Sequence, residues 1–291
     1  MIKVTKAVIP AAGWGTRLLP ATKAVPKEML PIINIPTLQY IVQEAADSGI
    51  KEILIVISKG KEAIKNHFAP CPRLEKELLA KKKNALLTEI KKISKIIKIQ
   101  YVYQDEQLGL GHAIGCAKSF AKGQPVAVLL GDDVVVSKGK TALAQCIDAY
   151  YRTKGSVVGV QPVEMKVVNK YGIVSPKNKS ETKKPYFAIK TLVEKPDAKE
   201  APTNLAILGR YVLTPDIYNA IKKTPKDKSG EIQITNALKY LAKRGKVYAC
   251  KFKGTRYDLG NKLGMVKATI DFALNDPELK ADVLKFIRGK K

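Results

Sequence analysis

The segment between positions 10 and 31 places a loop of small residues directly before two cationic side chains. The small residues are Ala11, Ala12, Gly13 and Gly15. A loop of this composition lets the backbone approach a ligand closely and direct its N–H groups at phosphate. Arg17 and Lys27 follow the loop, and such side chains neutralise polyphosphate charge. The segment therefore predicts a phosphate-binding loop. An ordinary tight turn is the alternative, because the glycine patterns of dinucleotide-binding folds and of P-loops are both missing.

Two aspartates further along the chain could hold a divalent cation beside that loop. Asp132 follows an apolar run at residues 126–130, and Asp258 precedes Gly260 at the end of another strand-like run. Ligands of open α/β sheets gather beyond the carboxyl ends of strands, and Mg²⁺ prefers carboxylate and phosphate oxygens. We therefore predict a Mg²⁺ site at Asp132 and Asp258, the alternative being that both only form turns or helix caps. Alternation along an extended chain directs Asp133 away from this site, so we expect Asp133 to be dispensable for activity.

The elements that must position these residues follow from hydrophobic periodicity. Helix-like and strand-like patterns alternate along most of the chain, which is typical of a mostly parallel sheet covered by helices. Strands are predicted at residues 6–10, 52–58, 98–103 and 126–130, with shorter strands and polar turns over residues 171–213. Helices are predicted at residues 37–48, 73–97, 141–151, 234–244, 261–274 and 282–287. One continuous α/β domain with a small helical tail accounts for this order.

Composition limits the class of protein. The chain has 291 residues, of which 45% are hydrophobic, so it can form a large core and is not a disordered chain. Its apolar runs are far shorter than the roughly 18 residues of a membrane span, and its first residues lack a secretory signal. We therefore expect a cytoplasmic protein with no membrane partner. The 4 cysteines and 2 histidines are too dispersed for a common zinc site.

The net charge of +26 raises the alternative of a basic nucleic-acid-binding protein. The 52 basic residues comprise 45 lysines and 7 arginines, and the lysines are spread over the whole chain. Proteins that read nucleic-acid sequence rely more strongly on arginine. We therefore predict no nucleic-acid partner and expect the positive charge to concentrate small anions near a cleft.

Residues 10–31 resemble the signature of the sugar-nucleotide pyrophosphorylases, G-x-G-T-R-L-x-P-x-T followed by P-K-x-x-L-P. The fuller form, with Pro-Lys-Glu-Met-Leu-Pro at residues 26–31, is similar to the bacterial UDP-glucose pyrophosphorylase family. The resemblance continues in that family's order through motifs at residues 104–113, 130–132, 171–174, 194–196, 204–213 and 257–262. Several motifs in one order are far more specific than any one of them.

This resemblance implies a fold and a reaction. The fold would be a Rossmann-like three-layer α/β nucleotidyltransferase fold with a mostly parallel central sheet, a smaller inserted β region and C-terminal helices. The reaction would be Mg²⁺-dependent attack of glucose 1-phosphate on the α-phosphorus of UTP, giving UDP-glucose and pyrophosphate. The nucleotidyltransferase domain would span residues 1–260, with a nucleotide half to about 135 and a sugar half from about 136. Residues 261–291 would form a C-terminal helical segment that contributes to a homodimer or homotetramer.

The resemblance also implies roles for individual residues. Arg17 and Lys27 are the expected catalytic cations, and Asp132 with Asp258 the expected metal ligands. The expected nucleotide-binding residues are Ala11, Ala12, Gly13, Gly15, Thr16, Glu28, Gln104 and Gly109. The expected sugar-phosphate-binding residues are Gly172, Glu194, Lys195, Asn204 and Gly209, among which Lys195 would hold the phosphate.

Some residues depart from the family pattern or lack a role. Trp14 stands where a smaller apolar residue is frequent, and Leu108 replaces a frequent lysine. His112 has no assigned role. The nearest enzyme alternative is a glucose-1-phosphate thymidylyltransferase, which shares the glycine loop and both cations. A catalytically silent regulatory homologue is a further alternative, and the intact set of charged residues argues against it.

Overall fold

The computed structural model describes residues 2–289. Its strands are β1 (Lys6–Pro10), β2 (Pro31–Ile32), β3 (Ile35–Pro36), β4 (Glu52–Ile57), β5 (Lys98–Tyr103), β6 (Val126–Leu129), β7 (Asp133–Val136), β8 (Ser156–Pro162), β9 (Gly172–Pro176), β10 (Tyr186–Glu194), β11 (Leu205–Leu213), β12 (Val247–Lys251) and β13 (Thr255–Asp258). Its helices are α1 (Thr37–Asp47), α2 (Glu62–Phe68), α3 (Pro72–Ala80), α4 (Asn84–Ile93), α5 (Gly109–Gly115), α6 (Lys118–Ala121), α7 (Ala142–Thr153), α8 (Asp216–Lys223), α9 (Ile234–Ala242), α10 (Lys262–Asn275) and α11 (Lys280–Arg288). The predicted segments 1–260 and 261–291 extend slightly beyond the described residues, which leave out Met1, Lys290 and Lys291. Within residues 2–289, none of the helices is both long enough and apolar enough to span a membrane.

A nine-stranded sheet in the order β5-β4-β1-β6-β11-β8-β12-β10-β9 forms the centre of the described chain. β5, β4, β1 and β6 pair in parallel, and so do β8 and β12. β11 is antiparallel to β6 and β8, and β10 is antiparallel to β12 and β9. The sheet is therefore mixed, and the expected parallel arrangement holds mainly for its N-terminal strands. The physical reason is clearest at β9 and β10, whose short connection contains no crossover helix and so produces antiparallel neighbours.

The central strands are apolar on both faces because helices cover both faces. In β4, Leu54 and Val56 pack into one core cluster with residues of α5, α8 and α9. Ile53 and Ile55 pack into the other cluster with residues of α1 and α7. Successive side chains of a strand point to opposite faces, so this split defines a helix–sheet–helix sandwich of three layers.

The single helix expected at residues 73–97 is wrong, because α3 and α4 occupy this region with a turn between them. Lys82 in the turn is left-handed, with φ 54°. Its N–H donates to the carbonyl of Leu79 at 3.0 Å, and the N–H of Lys83 donates to that of Leu78 at 2.9 Å. These two bonds form a Schellman cap that ends α3. Apolar residues continue at helical spacing beyond the turn, so periodicity alone did not indicate the break.

The parallel strands bring their carboxyl ends to one edge of the sheet. Ala11 follows β1, Lys61 lies four residues beyond β4, Gln104 follows β5, and Asp132 lies just beyond β6. The backbone continues the sheet slightly past β1, since the N–H of Ala11 donates to the carbonyl of Val56 at 2.8 Å. This edge is where open α/β sheets bind ligands.

Helix α10, in the C-terminal segment, carries apolar side chains that face outward. Leu263 is 62% exposed and Val266 is 55% exposed. An assembly through this segment, as a homodimer or homotetramer, stays a prediction.

Candidate active site

A cavity of about 490 Å³ opens at this edge of the sheet. The predicted site residues that line it are Ala12, Gly13, Arg17, Lys27, Glu28, Gln104, Gly109, Asp132 and Lys195. Sequence reasoning missed Gln107, Lys170 and Glu231, which also line it. The volume suits a small-molecule ligand, and the arginine and lysines on the wall favour an anionic one.

The small-residue loop is held in one conformation by close packing. Gly15 has a φ of 68°, and a Cβ at this position would lie 3.1 Å from Cβ of Lys27. Both the left-handed backbone and the close contact favour glycine. The hydroxyl of Thr22 donates to the Gly15 carbonyl at 2.9 Å. Thr16 instead lines a separate pocket with Trp14, so the structure places Thr16 beside the candidate site and not on its wall.

Lys61 holds this loop by hydrogen bonds to its backbone, and sequence reasoning missed this residue. Its ammonium donates to the carbonyl of Ala11 at 2.5 Å, to that of Gly13 at 2.7 Å, and to Oε2 of Glu28 at 2.9 Å. Lys61 is 7% exposed and Glu28 is 0% exposed. Burial lowers the pKa of Lys61 and raises the pKa of Glu28, and each opposite charge counteracts the shift of the other. The position of Lys61 after a parallel strand was the one signal in the sequence.

The second oxygen of Glu28 is a buried acceptor on the cavity wall. Oε1 accepts no hydrogen bond from any residue between positions 2 and 289. An unpaired buried acceptor is costly, so a group of this kind favours a ligand that brings a donor.

Lys27 and Asp132 form an ion pair on the cavity wall, with 2.6 Å between Nζ and Oδ2. Burial alone would lower the pKa of Lys27, but Asp132 and Glu28 outweigh it and raise this pKa. Burial alone would raise the pKa of Asp132, but Lys27 and Arg17 lower it below its ordinary value. Both side chains are therefore held in their charged forms.

Asp258, the last residue of β13, lies close to Asp132 although the two are far apart in sequence. β13 pairs antiparallel with β7, so Asp258 lies opposite Asp133, and the N–H of Leu259 donates to the carbonyl of Asp132 at 2.8 Å. A methyl group at Gly260 would lie 2.7 Å from Oδ2 of Asp132 and 3.2 Å from Oδ1 of Asp258. The same methyl group would lie 2.8 Å from NH2 of Arg17. The structure thus brings both predicted aspartates and one predicted cation together around Gly260.

Asp133 faces away from the cavity, as alternation predicts, yet it is not a free surface group. It is 3% exposed, and Oδ1 accepts from Nε of Arg256 at 2.8 Å. Burial raises the pKa of Asp133 to about 6, against the lowering effect of Arg256. Arg256 also lies 3.8 Å from Oδ2 of Asp258 and over the ring of Tyr171. The expectation that Asp133 is dispensable for activity stays a prediction, and through Arg256 this carboxylate also joins β7 to β13, the strand that carries Asp258.

Gln104 and the turn that follows it form a further part of the cavity wall. Gln104 is 4% exposed, and its Nε2 lies 2.8 Å from Nδ1 of His112 and 3.5 Å from the carbonyl of Gly109. Gly109 has φ 87°, and a Cβ there would lie 2.8 Å from that of Glu231. The turn therefore requires glycine and packs directly against residues 231–232.

The predicted sugar-side residues are divided between the cavity and its surroundings. Lys195 lines the cavity and an adjoining pocket, its ammonium 3.6 Å from Oε1 of Glu194 in that pocket. A Cβ at Gly172 would lie 3.2 Å from Oε2 of Glu194, so Gly172 allows the carboxylate to approach the backbone. Asn204 instead donates to the carbonyl of Val163 at 3.1 Å, and Gly209 packs over the carboxylate of Asp133. The structure places these last two residues in supporting positions.

A loop of small residues, two cations and two aspartates lie at the carboxyl edge of the sheet in a three-layer α/β sandwich, an arrangement typical of α/β proteins that bind nucleotides. The family model described as nucleotidyl transferase matches residues 6–273. This chain belongs to the nucleotidyl transferase family.

Individual relatives match over nearly the whole length. The chain is 47% identical over 289 residues to UTP–glucose-1-phosphate uridylyltransferase of Bacillus subtilis (strain 168), covering 99% of this chain and 98% of that protein. The solved structure of a UTP-bound UGPase from Acinetobacter baumannii is 38% identical, with a TM-score of 0.90 and 100% of both chains covered. A UDP-glucose pyrophosphorylase complexed with UDP-glucose is also 38% identical, with a TM-score of 0.84, covering 95% of this chain and 100% of that one.

Proposed function

We propose that this chain makes UDP-glucose and pyrophosphate from UTP and glucose 1-phosphate. The observation that carries the proposal is the convergence of Arg17, Asp132 and Asp258 around Gly260, with Lys27 paired to Asp132. The names of the similar proteins, which specify UTP, glucose 1-phosphate and UDP-glucose, support these substrates.

The proposed chemistry is an in-line displacement at phosphorus. An oxygen of glucose 1-phosphate forms a bond to the α-phosphorus of UTP, and the bond from that phosphorus to the bridging oxygen of the β-phosphate breaks. Pyrophosphate leaves with the electron pair. Such a transfer depends on positioning and charge neutralisation more than on covalent catalysis. Arg17 and Lys27 supply positive charge beside the departing phosphates, and the loop residues Ala12 and Gly13 offer backbone to the triphosphate.

Asp132 and Asp258 fit Mg²⁺. Between positions 2 and 289 no group of three or more histidine, cysteine or acidic side chains converges as a metal cluster. Two carboxylates that share a site with substrate phosphate oxygens and water are a typical Mg²⁺ environment, since this ion rarely uses an all-protein cage. Bound by these two carboxylates, Mg²⁺ would neutralise negative charge on the reacting phosphates.

The direct test measures pyrophosphate release from UTP, dTTP, CTP, ATP and GTP, each crossed with several sugar 1-phosphates. We expect UTP with glucose 1-phosphate to give the highest kcat/KM. For CTP, ATP and GTP the reason is that a base with the wrong edge leaves buried groups unpaired at a cost of about 1–3 kcal/mol each. A clear preference for dTTP would replace the proposal with the thymidylyl reaction. Absence of turnover with any pair, in the presence of Mg²⁺, would contradict the enzyme assignment.

Lys195 is expected to hold the phosphate of the sugar. If it does, Lys195→Ala should raise the KM for glucose 1-phosphate by about tenfold or more and leave the KM for UTP within about twofold, since a charge-assisted contact to one substrate is lost. The measurement is steady-state kinetics with each substrate varied in turn. Lys190→Ala, at an exposed position of β10, is the matched control and should change neither KM. Equal increases for both substrates in Lys195→Ala would refute this role.

A further inference from the structure

His112 contacts the side-chain amide of Gln104. The Nδ1 atom of His112 lies 2.8 Å from Nε2 of Gln104. An amide nitrogen can only donate, so Nδ1 of His112 must be the acceptor and the imidazole proton must reside on Nε2. The same amide nitrogen points toward the carbonyl of Gly109 at 3.5 Å. Both amide protons of Gln104 therefore have acceptors within the protein.

The oxygen of the Gln104 amide is then the group that remains for a ligand. Gln104 is 4% exposed and lines the cavity, so its amide meets a buried ligand edge. A buried acceptor favours a base that presents a proton and penalises one that presents a lone pair. Uracil carries a proton on N3, whereas cytosine has a lone pair on N3.

We infer that His112 is a specificity-determining positioning residue that selects uracil over cytosine by holding the Gln104 amide oxygen toward the base. The inference rests on the proposed function, in which the nucleotide base is bound at Gln104. His112 itself acts through Gln104 and does not have to touch the substrate.

Both partners are held by their backbones, which makes the orientation a property of the fold. The N–H of Gln104 donates to the carbonyl of Ile57 at 2.8 Å, which extends the β4–β5 pairing. The N–H of Gly111 donates to the carbonyl of Ile232 at 2.8 Å, and a Cβ at Gly111 would lie 2.6 Å from that oxygen. The first turn of α5 is therefore docked closely, and the imidazole of His112 keeps its place beside β5.

The test compares kcat/KM for UTP with kcat/KM for CTP at saturating glucose 1-phosphate. In His112→Ala the Gln104 amide can rotate and present its nitrogen to N3 of cytosine, so we expect the UTP/CTP ratio to fall on the order of tenfold. His112→Asp supplies an acceptor that cannot donate, so we expect it to keep the ratio near that of the unaltered protein. His67→Ala is the matched control, because His67 also pairs with a glutamine, Gln39, at 2.9 Å but does not line the cavity.

A second pair of variants separates orientation from mere packing. Gln104→Glu offers only acceptor oxygens to the base, so removal of His112 in this background should leave the UTP/CTP ratio within about twofold. A fall of similar size in both backgrounds, or an unchanged ratio in His112→Ala, would overturn the inference. An unaltered protein that turns over UTP and CTP equally would instead show that the proposed function is at fault.

Discussion

Asp132→Asn and Asp258→Asn are each expected to fold normally and to lose at least about 100-fold in kcat, because each removes a carboxylate that would hold the Mg²⁺ needed to neutralise the reacting phosphates. The two carboxylates meet near Gly260 although 126 residues separate them in the chain. Steady-state pyrophosphate release over a range of Mg²⁺ concentrations measures the loss, and circular dichroism with thermal unfolding checks the fold. A direct titration with Mn²⁺, followed by its paramagnetic signal, should show weaker binding of the ion in both variants.

Asp148→Asn is the control for these variants, since this carboxylate is 48% exposed and pairs with Lys140 at the surface. It should keep both full turnover and the affinity for Mn²⁺. Asp133→Asn is unsuitable as a control, because its carboxylate is buried against Arg256. Full Mg²⁺-dependent turnover in either Asp132→Asn or Asp258→Asn would falsify the metal assignment.

Arg210→Met is expected to destabilise the fold by about 3–5 kcal/mol, because it leaves the charge of Glu44 buried without its partner. Arg210 is 0% exposed on β11, and its Nε and NH2 donate to the two oxygens of Glu44 at 2.9 and 2.6 Å. NH2 also donates to the carbonyl of Asp133 at 2.8 Å, which ties the pair to the strand beside the candidate metal site. Glu44 in turn accepts from the backbone N–H of Leu143 at 3.0 Å.

Urea unfolding measures this loss when the two-state fits of all variants share one slope of unfolding free energy against urea concentration. The control is Lys246→Met, which breaks an exposed pair with Asp216 at 2.9 Å and should cost less than about 1 kcal/mol. If Arg210→Met costs no more than Lys246→Met, the buried pair does not support the fold. The double variant Glu44→Leu/Arg210→Met should recover part of the loss, since no unpaired charge then remains buried.

Much of the fold could be predicted from the sequence because its signals are local. The strand at residues 6–10 and the strand at residues 98–103 have the predicted bounds, since runs of β-branched and aromatic residues between polar turns act over a few positions. The small residues at positions 11–15 are also a local signal, and Gly15 is left-handed as its type allows, but the loop they form is held as well by Lys61, whose ammonium binds the carbonyls of Ala11 and Gly13. The break between α3 and α4 was missed, since a Schellman cap at a lysine leaves no glycine in the sequence to mark it.

By itself the sequence determined which residues could do chemistry, namely the loop, its cations and the aspartates after strands. Which side chains meet was decided only by the tertiary structure. Lys61 reaches Glu28 because parallel strands deliver separate turns to one edge of the sheet. His112 reaches Gln104 through the single turn between β5 and α5. Arg256 meets Asp133 through the register of β13 on β7, and no short-range pattern encodes that register. The physical reason is that a buried charge must find a partner wherever the packed chain places one, and packing joins residues far apart in sequence.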